Sequence, residues 1–412
     1  MNLKSLLLFF LPALMLLKVN FVGTLYVPEL VLLIYFIFLL TQNSFFLIIR
    51  KLRLFVSLVL LLLLSQIVTD IYRETPPQDF LRGWFNIVFL LINTVTLFVL
   101  LDNDKKNFFI FGLGFALGWI LGFYFTPNYW AFSDAIVTGD SWKFGYGYAV
   151  TFLVAIITTL QYFKNNFFKS IIFLFLAILN FYFDFRTLGG VCLLVFFFLT
   201  IMKLKFFNQF LKNKKSNSFH IFRLTCFLTI LSFFVYHLYS YLAINEYLGL
   251  DAMILFKNQS GPLGILVGGR QELLTSFYAI SESPIIGYGS WAKSPFHEEL
   301  LSDLLIQFGY YDTTAITYFG DRIPTHSHIF GSWITAGIFG IFIWIWFLYM
   351  ILKSLLVNTI INDSWNGFFY FICFIMMWSI FFGNFSGTAR FYDGYYLSIL
   401  LFINSKFNSS AK

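Results

Sequence analysis

"THSHIFGSWITAGIFGIFIWIWFLYMIL" occupies Thr325–Leu352. Four polar residues, Thr325, His326, Ser327 and His328, stand directly against a long apolar run. That run exceeds the roughly 20 residues a helix needs to cross the hydrocarbon core of a bilayer. Similar runs recur from one end of the 412-residue chain to the other. The sequence is 59% hydrophobic and 11% charged, whereas soluble domains carry about a quarter charged residues. The fold class is therefore all-α, a polytopic membrane helix bundle. A β-barrel is excluded, because its strands alternate polar and apolar residues and these runs do not.

The apolar runs fall at 5–20, 28–49, 54–69, 84–101, 108–125, 147–162, 170–184, 187–202, 224–243, 328–352, 367–383 and 394–405. They predict about 12 transmembrane helices in three blocks. Helices one to nine lie in 1–243, a large loop in 244–325, and helices ten to twelve in 326–412. The runs at 170–184 and 187–202 almost touch, which suits a tight hairpin or a partly re-entrant pair. Met1–Tyr26 has the charged start and apolar middle of a signal peptide, but no small-residue cleavage pattern follows, and it reads as a first membrane helix containing Lys18.

Lysine and arginine counts set the orientation. With the N-terminus in the cytoplasm, 17 basic residues fall inside and 9 outside, Lys18 being the last of the 27. Both termini come out cytoplasmic. The net charge of +7 follows this topology and does not indicate nucleic acid. Cys192, Cys226 and Cys373 lie in apolar runs and form neither a metal pattern nor a disulfide framework.

The loop 244–325 is too long for a plain connector, and such loops are usually functional. Within "GGRQELLTSFYAISESPIIGYGSW", Gly268–Trp291, residues Leu273, Leu274, Phe277, Tyr278 and Ile280 follow helical spacing. This predicts an amphipathic helix over 271–280 along the membrane surface, led by Arg270 and broken by Pro284 and Gly287.

Three motifs now stand in order: "FRTLGGVCLL" at Phe185–Leu194, the Arg270-led helix with its Pro–x–x–Gly–x–Gly turn, and "HSHIFGSWITAGIFG" at His326–Gly340. Their order and spacing resemble the O-antigen ligase/polymerase superfamily, bacterial membrane glycosyltransferases that use undecaprenyl-diphosphate-linked glycans. The resemblance is specific over about Arg186–Gly340. Many members carry Asn where this chain has Ser327, another small polar residue. The resemblance implies a metal-independent transfer, without cofactor, from an undecaprenyl-diphosphate-linked glycan donor to an acceptor sugar. The acceptor would be another lipid-linked repeat unit (a polymerase) or lipid A–core (a ligase), with a chain-length regulator as a further candidate partner. The location implied is the bacterial inner membrane, multi-pass, with the active site on the periplasmic face.

The chemistry suits the residue types. Arginine's planar fork binds diphosphate and stays charged. That points to Arg186 and Arg270, with Arg322 and Arg390 as accessory outer arginines. Histidine titrates near working pH and can take the proton of the attacking hydroxyl. His326, eleven residues before Gly337, falls on the family's catalytic position. His328 lies past it. Plainer readings stand beside these. The histidines, Thr325 and Ser327 could cap the tenth helix. Asp184 could pair Arg186, and Arg270 could meet lipid headgroups.

Other motifs are set aside. Asp102–Asp104 resembles a metal-binding Asp–x–Asp, but Lys105 and Lys106 follow and the charge bias puts it in the cytoplasm. Glu298 and Glu299 are adjacent and do not face one another on a helix. No metal is expected. The competing class is a transporter or flippase of lipid-linked oligosaccharide, although neither internal repeats nor broken midplane helices are evident.

Overall fold

The computed structural model describes residues 3–20, 23–125, 140–163, 165–202, 217–260, 264–309, 322–361 and 365–410. It is helical almost throughout, as the apolar runs predict. The strands among the described residues are β1 (Lys18–Asn20) and β2 (Thr24–Tyr26), an antiparallel pair with Val19 opposite Leu25. The basic residues Lys203, Lys205, Lys212, Lys214 and Lys215, counted toward the inside, lie outside the described residues.

The first helices are α1 (Leu3–Ala13), α2 (Val27–Leu40), α3 (Phe45–Lys51), α4 (Arg53–Tyr72), α5 (Pro77–Leu101) and α6 (Lys105–Phe125). After a turn of π-helix at Trp142–Tyr146 come α7 (Gly147–Ile157), α8 (Asn166–Tyr182), α9 (Arg186–Ile201) and α10 (Asn217–Ile244). The long loop folds into α11 (Leu250–Gln259), α12 (Gly264–Gly268), α13 (Glu272–Glu282) and α14 (Pro295–Gln307). The last elements are α15 (His328–Ala336), α16 (Phe342–Ile361), α17 (Asn366–Phe382) and α18 (Gly387–Ser410).

Each predicted apolar run contains helix, but the twelvefold count does not follow from helix length. Among the described residues five helices are long and apolar enough to cross a membrane, or six if the bent pair α2–α3 is one span. Five further apolar helices are shorter. α2 and α3 meet at 111°. The bend falls at the polar residues Thr41–Ser44, where Thr41 Oγ1 turns back to the Phe38 carbonyl at 2.8 Å. The first run is also shorter than predicted: α1 ends at Ala13, and Lys18 lies exposed in β1, not within a helix.

α17 is buried along Asn366–Met376 and forms the centre of the bundle, as expected of a helix apolar on every side. Outer helices instead turn Ile34, Leu64, Val68, Phe175, Ile230 and Phe233 outward. A belt of this kind is too apolar for a water-facing surface and suits lipid. α8 and α9 form the tight hairpin allowed by the sequence, with the turn at Phe183–Phe185 and Asp184 in the left-handed region at φ 49°.

The tenth run is not one helix, and with the bent α2–α3 pair it shows broken helices where none were evident from the sequence. It unwinds after Ala336 through a 3₁₀ segment at Gly337–Ile341 before α16 begins. Gly337 has φ 63°, and a Cβ there would overlap the Ile285 carbonyl of the long loop. The freed backbone groups are taken up locally. Ser65 Oγ donates to the Ala336 carbonyl at 2.6 Å, and Tyr288 N–H donates to the Ile334 carbonyl at 2.7 Å. Thr69 Oγ1 donates to the Ile286 carbonyl at 2.6 Å, so α4 holds both the break and the loop turn.

Candidate functional site

The C-terminal end of α17 organises the site. A helix end leaves its last carbonyls without intrahelical partners and carries partial negative charge. Three such carbonyls collect donors from the polar stretch and from the loop. Ser327 Oγ donates to the Ile380 carbonyl at 2.9 Å. Arg270 Nε donates to the Phe382 carbonyl at 3.2 Å. His328 Nδ1 donates to the Gly383 carbonyl at 2.7 Å. Ser327 is also the N-cap of α15, accepting from Phe330 N–H at 3.3 Å. The capping reading therefore applies to Ser327.

Arg270 precedes α13, and its guanidinium lies over the Trp378 ring at 5.9 Å. Burial, and then the charge of Arg186, lower its pKa, while Glu272 opposes them. The charge of Arg186, eighty-odd positions away in sequence, thus acts on Arg270. Arg186 opens α9 and lies 3.2 Å from Asp184, the partner the sequence suggested; Asp184 also takes Lys143 Nζ at 3.3 Å. Tyr239 of α10 adjoins the Arg186 side chain.

His326 is partly exposed, with Nδ1 3.8 Å from Glu272 Oε1, an ion-pair separation too long for a hydrogen bond. Its pKa lies below the ordinary value of 6.5. Burial is the main cause; Glu272 raises it, and Arg270 and His328 lower it. His326 is therefore mostly neutral at pH 7, the form that accepts a proton.

His328 is different. It is buried beside Trp344 and Phe385, and its Nε2 lies 3.4 Å from Asp393 Oδ2 on α18. Because a carbonyl only accepts, the Gly383 contact places a proton on Nδ1.

Both accessory arginines lie elsewhere. Arg390 is not in a connecting loop: α18 begins at Gly387, and Arg390 is buried in its first turn. Its fork grips Glu29 through two 2.6 Å bonds, and it donates to Asn86 Oδ1 at 2.5 Å and the Thr24 carbonyl at 3.0 Å. The apolar run begins only at 394 because charged residues end a hydropathy window, whereas here Arg390 is paired with Glu29 across the bundle and Asp393 lies against His328. Arg322 is exposed over Trp291 at 4.9 Å, with Arg82 over the same ring at 5.6 Å. Lys293, bridged to Arg322 through the backbone, reaches Asp79 at 2.8 Å.

The predicted amphipathic helix is α13, and Leu273 and Ile280 are buried on it. Phe277 and Tyr278, placed on the same stripe, are exposed. The other loop helices were not expected. α14 carried a legible signal in Ser294 before Pro295 and Glu298, an N-cap followed by proline and an acidic first turn. Its His297 lies 3.1 Å from Glu282 and so ties α14 to α13. Glu272 and Asp393 were also missed. An acid in a first helical turn reads as a dipole partner, and an acid in the last apolar run has no sequence-local counterpart.

Among the described residues no group of three or more His, Cys, Asp or Glu side chains could hold a metal ion. Comparison with protein-family models finds no match, and comparison with curated proteins finds none.

Proposed function

We propose that the chain is a bacterial inner-membrane glycosyltransferase of the O-antigen ligase/polymerase type. It would move a glycan from undecaprenyl diphosphate to an acceptor sugar at the periplasmic face. The observation that carries this reading is the meeting of His326, Glu272 and Arg270, from two separate stretches, near the end of α17, with the charge of Arg186 acting on Arg270. Arg186 and Arg270 would hold the diphosphate. Neutral His326 would take the acceptor hydroxyl proton. Diphosphate leaves readily without a general acid. The polymerase form is the one we favour, because the sequence points to no recognition surface for lipid A–core.

The same reading takes each of the twelve apolar stretches as a span, short helices included, with both termini in the cytoplasm. The contacts at the two ends of α5 agree with the opposite sides given to Lys4 and Lys293. Lys4 meets Asp102 at 3.6 Å at one end of the bundle, and Lys293 meets Asp79 at the other end of α5.

The test is transfer by purified protein in detergent, using lipid-linked repeat units as donor and acceptor. Polymer supports the assignment. Absence of product from folded protein with either lipid-linked repeats or lipid A–core as acceptor overturns it, and translocation in sealed vesicles would then indicate a flippase. In a deletion strain, a polymerase leaves single capped repeats and a ligase leaves lipid-linked polymer.

A further inference from the structure

A cavity of about 300 Å³ opens between the end of α4 and the start of α5, lined by Asp70, Ile71, Glu74, Thr75, Phe80 and Trp84. This is the lower end of the size range of small-ligand sites. We propose that it binds an uncharged saccharide, the sugar portion of the acceptor glycan; the acceptor role rests on the transferase reading above.

The lining is specific. Phe80 and Trp84 stack at 4.4 Å and present an aromatic platform. Such a face accepts the C–H side of a sugar ring. Asp70 is buried, with Oδ2 taking Trp84 Nε1 at 2.7 Å and Oδ1 taking Ser290 N–H at 2.9 Å. Each carboxylate oxygen has room for a second donor. Sugar hydroxyls supply donors, and Thr75 and the exposed Glu74 add further polar groups at the rim.

Charge narrows the ligand. Asp70 and Glu74 disfavour an anion. The Asp70 oxygens already accept from Trp84 and Ser290, which weakens their pull on a cation. An acyl chain would leave the Asp70 carboxylate facing hydrocarbon at a heavy desolvation cost. A neutral polyol offers hydroxyl donors to Asp70 and a C–H face to Phe80 and Trp84.

Position ties the cavity to the candidate site. Ser290, which bonds Asp70, belongs to the Pro284–Trp291 turn that α15 holds through Trp333 Nε1 to the Pro284 carbonyl at 2.8 Å. The cavity and His326 thus lie near opposite ends of α15, which at nine residues is about 14 Å long. That is a distance an oligosaccharide can bridge.

The experiment uses the full-length protein in nanodiscs. The probe is the oligosaccharide released by mild acid from the cell's own surface polysaccharide, followed by saturation-transfer NMR. Wild-type protein is expected to saturate the sugar ring protons. Glu74→Gln and Trp84→Phe are each expected to weaken binding about tenfold or more, since each alters a polar partner of the ligand or of Asp70. Glu74 is exposed, so its variant will fold even if the Trp84 variant does not. Wild-type affinity in Glu74→Gln and in folded Trp84→Phe overturns the site, as does absence of saturation with wild type. Binding needs no turnover. Wild-type protein that binds sugar but forms no polymer keeps this site and removes the transferase reading.

Discussion

His326 Nδ1 faces the Glu272 carboxylate at 3.8 Å across the gap between the stretch leading into α15 and the first turn of α13. The two residues are 54 positions apart, and each is held by the end of α17: Glu272 through its neighbour Arg270, His326 through its neighbour Ser327.

This pair sets a pH dependence. A base is active when deprotonated, so activity should fall as pH drops through the His326 pKa. That midpoint should lie below 6.5. Glu272 favours the charged imidazolium and raises the pKa; Glu272→Gln should therefore move the acid limb to lower pH. Arg270 acts in the opposite sense, and Arg270→Gln should move the limb upward in whatever activity remains. Rate–pH profiles of the purified variants check both signs. Shifts of reversed sign would mean that another group titrates.

His326→Ala should reduce transfer by roughly 10²–10⁴-fold, the usual contribution of a general base. Its thermal unfolding should stay near wild type because the side chain is partly exposed. His328→Ala should do the reverse. It leaves Asp393 and the Gly383 carbonyl without their buried partner, at a cost of about 1–3 kcal/mol or more. Parallel melting curves and transfer rates separate the two.

Arg270→Lys should impair transfer by far more than it lowers the melting temperature. One ammonium cannot span the Phe382 and Gly269 carbonyls and still present a planar edge to a diphosphate. Transfer rates normalised to folded protein decide the matter. A wild-type rate would leave Arg270 as a cap on α17 alone.

Glu29→Gln should destabilise the bundle by about 3–5 kcal/mol, because Arg390 would be left charged and unmatched in a buried position. Replacing both, Glu29→Met with Arg390→Met, should recover most of that loss. Denaturation in mild detergent measures it. Equal melting of the single variant and wild type would show that water reaches the pair.

Gly337→Ala should cost at least about 1–3 kcal/mol, since φ is 63° and the added methyl overlaps the Ile285 carbonyl. The Pro284–Trp291 turn should loosen with it, which protease sensitivity at that turn would reveal. Gly190→Ala, where nothing lies within 4 Å of the new methyl, is the matched control.

Hydropathy and spacing alone determined that this chain is a bundle of apolar helices, where the runs lie, and that a helix follows Arg270. Those properties are sums over neighbouring residues, so sequence carries them directly. Gly337 was legible as a motif, but its reason is tertiary: the Ile285 carbonyl sits where a side chain would go. Arg390 and Asp393 ended a helix on paper and continue one in the fold. Their buried partners, Glu29 and His328, are supplied by distant elements, Glu29 from 361 positions away. The same limit hid Glu272 behind His326, and it hid the cavity at Asp70, whose second donor comes from Ser290 across 220 positions. A charge is expensive in an apolar bundle only until it is paired, and pairing depends on packing that no local window contains.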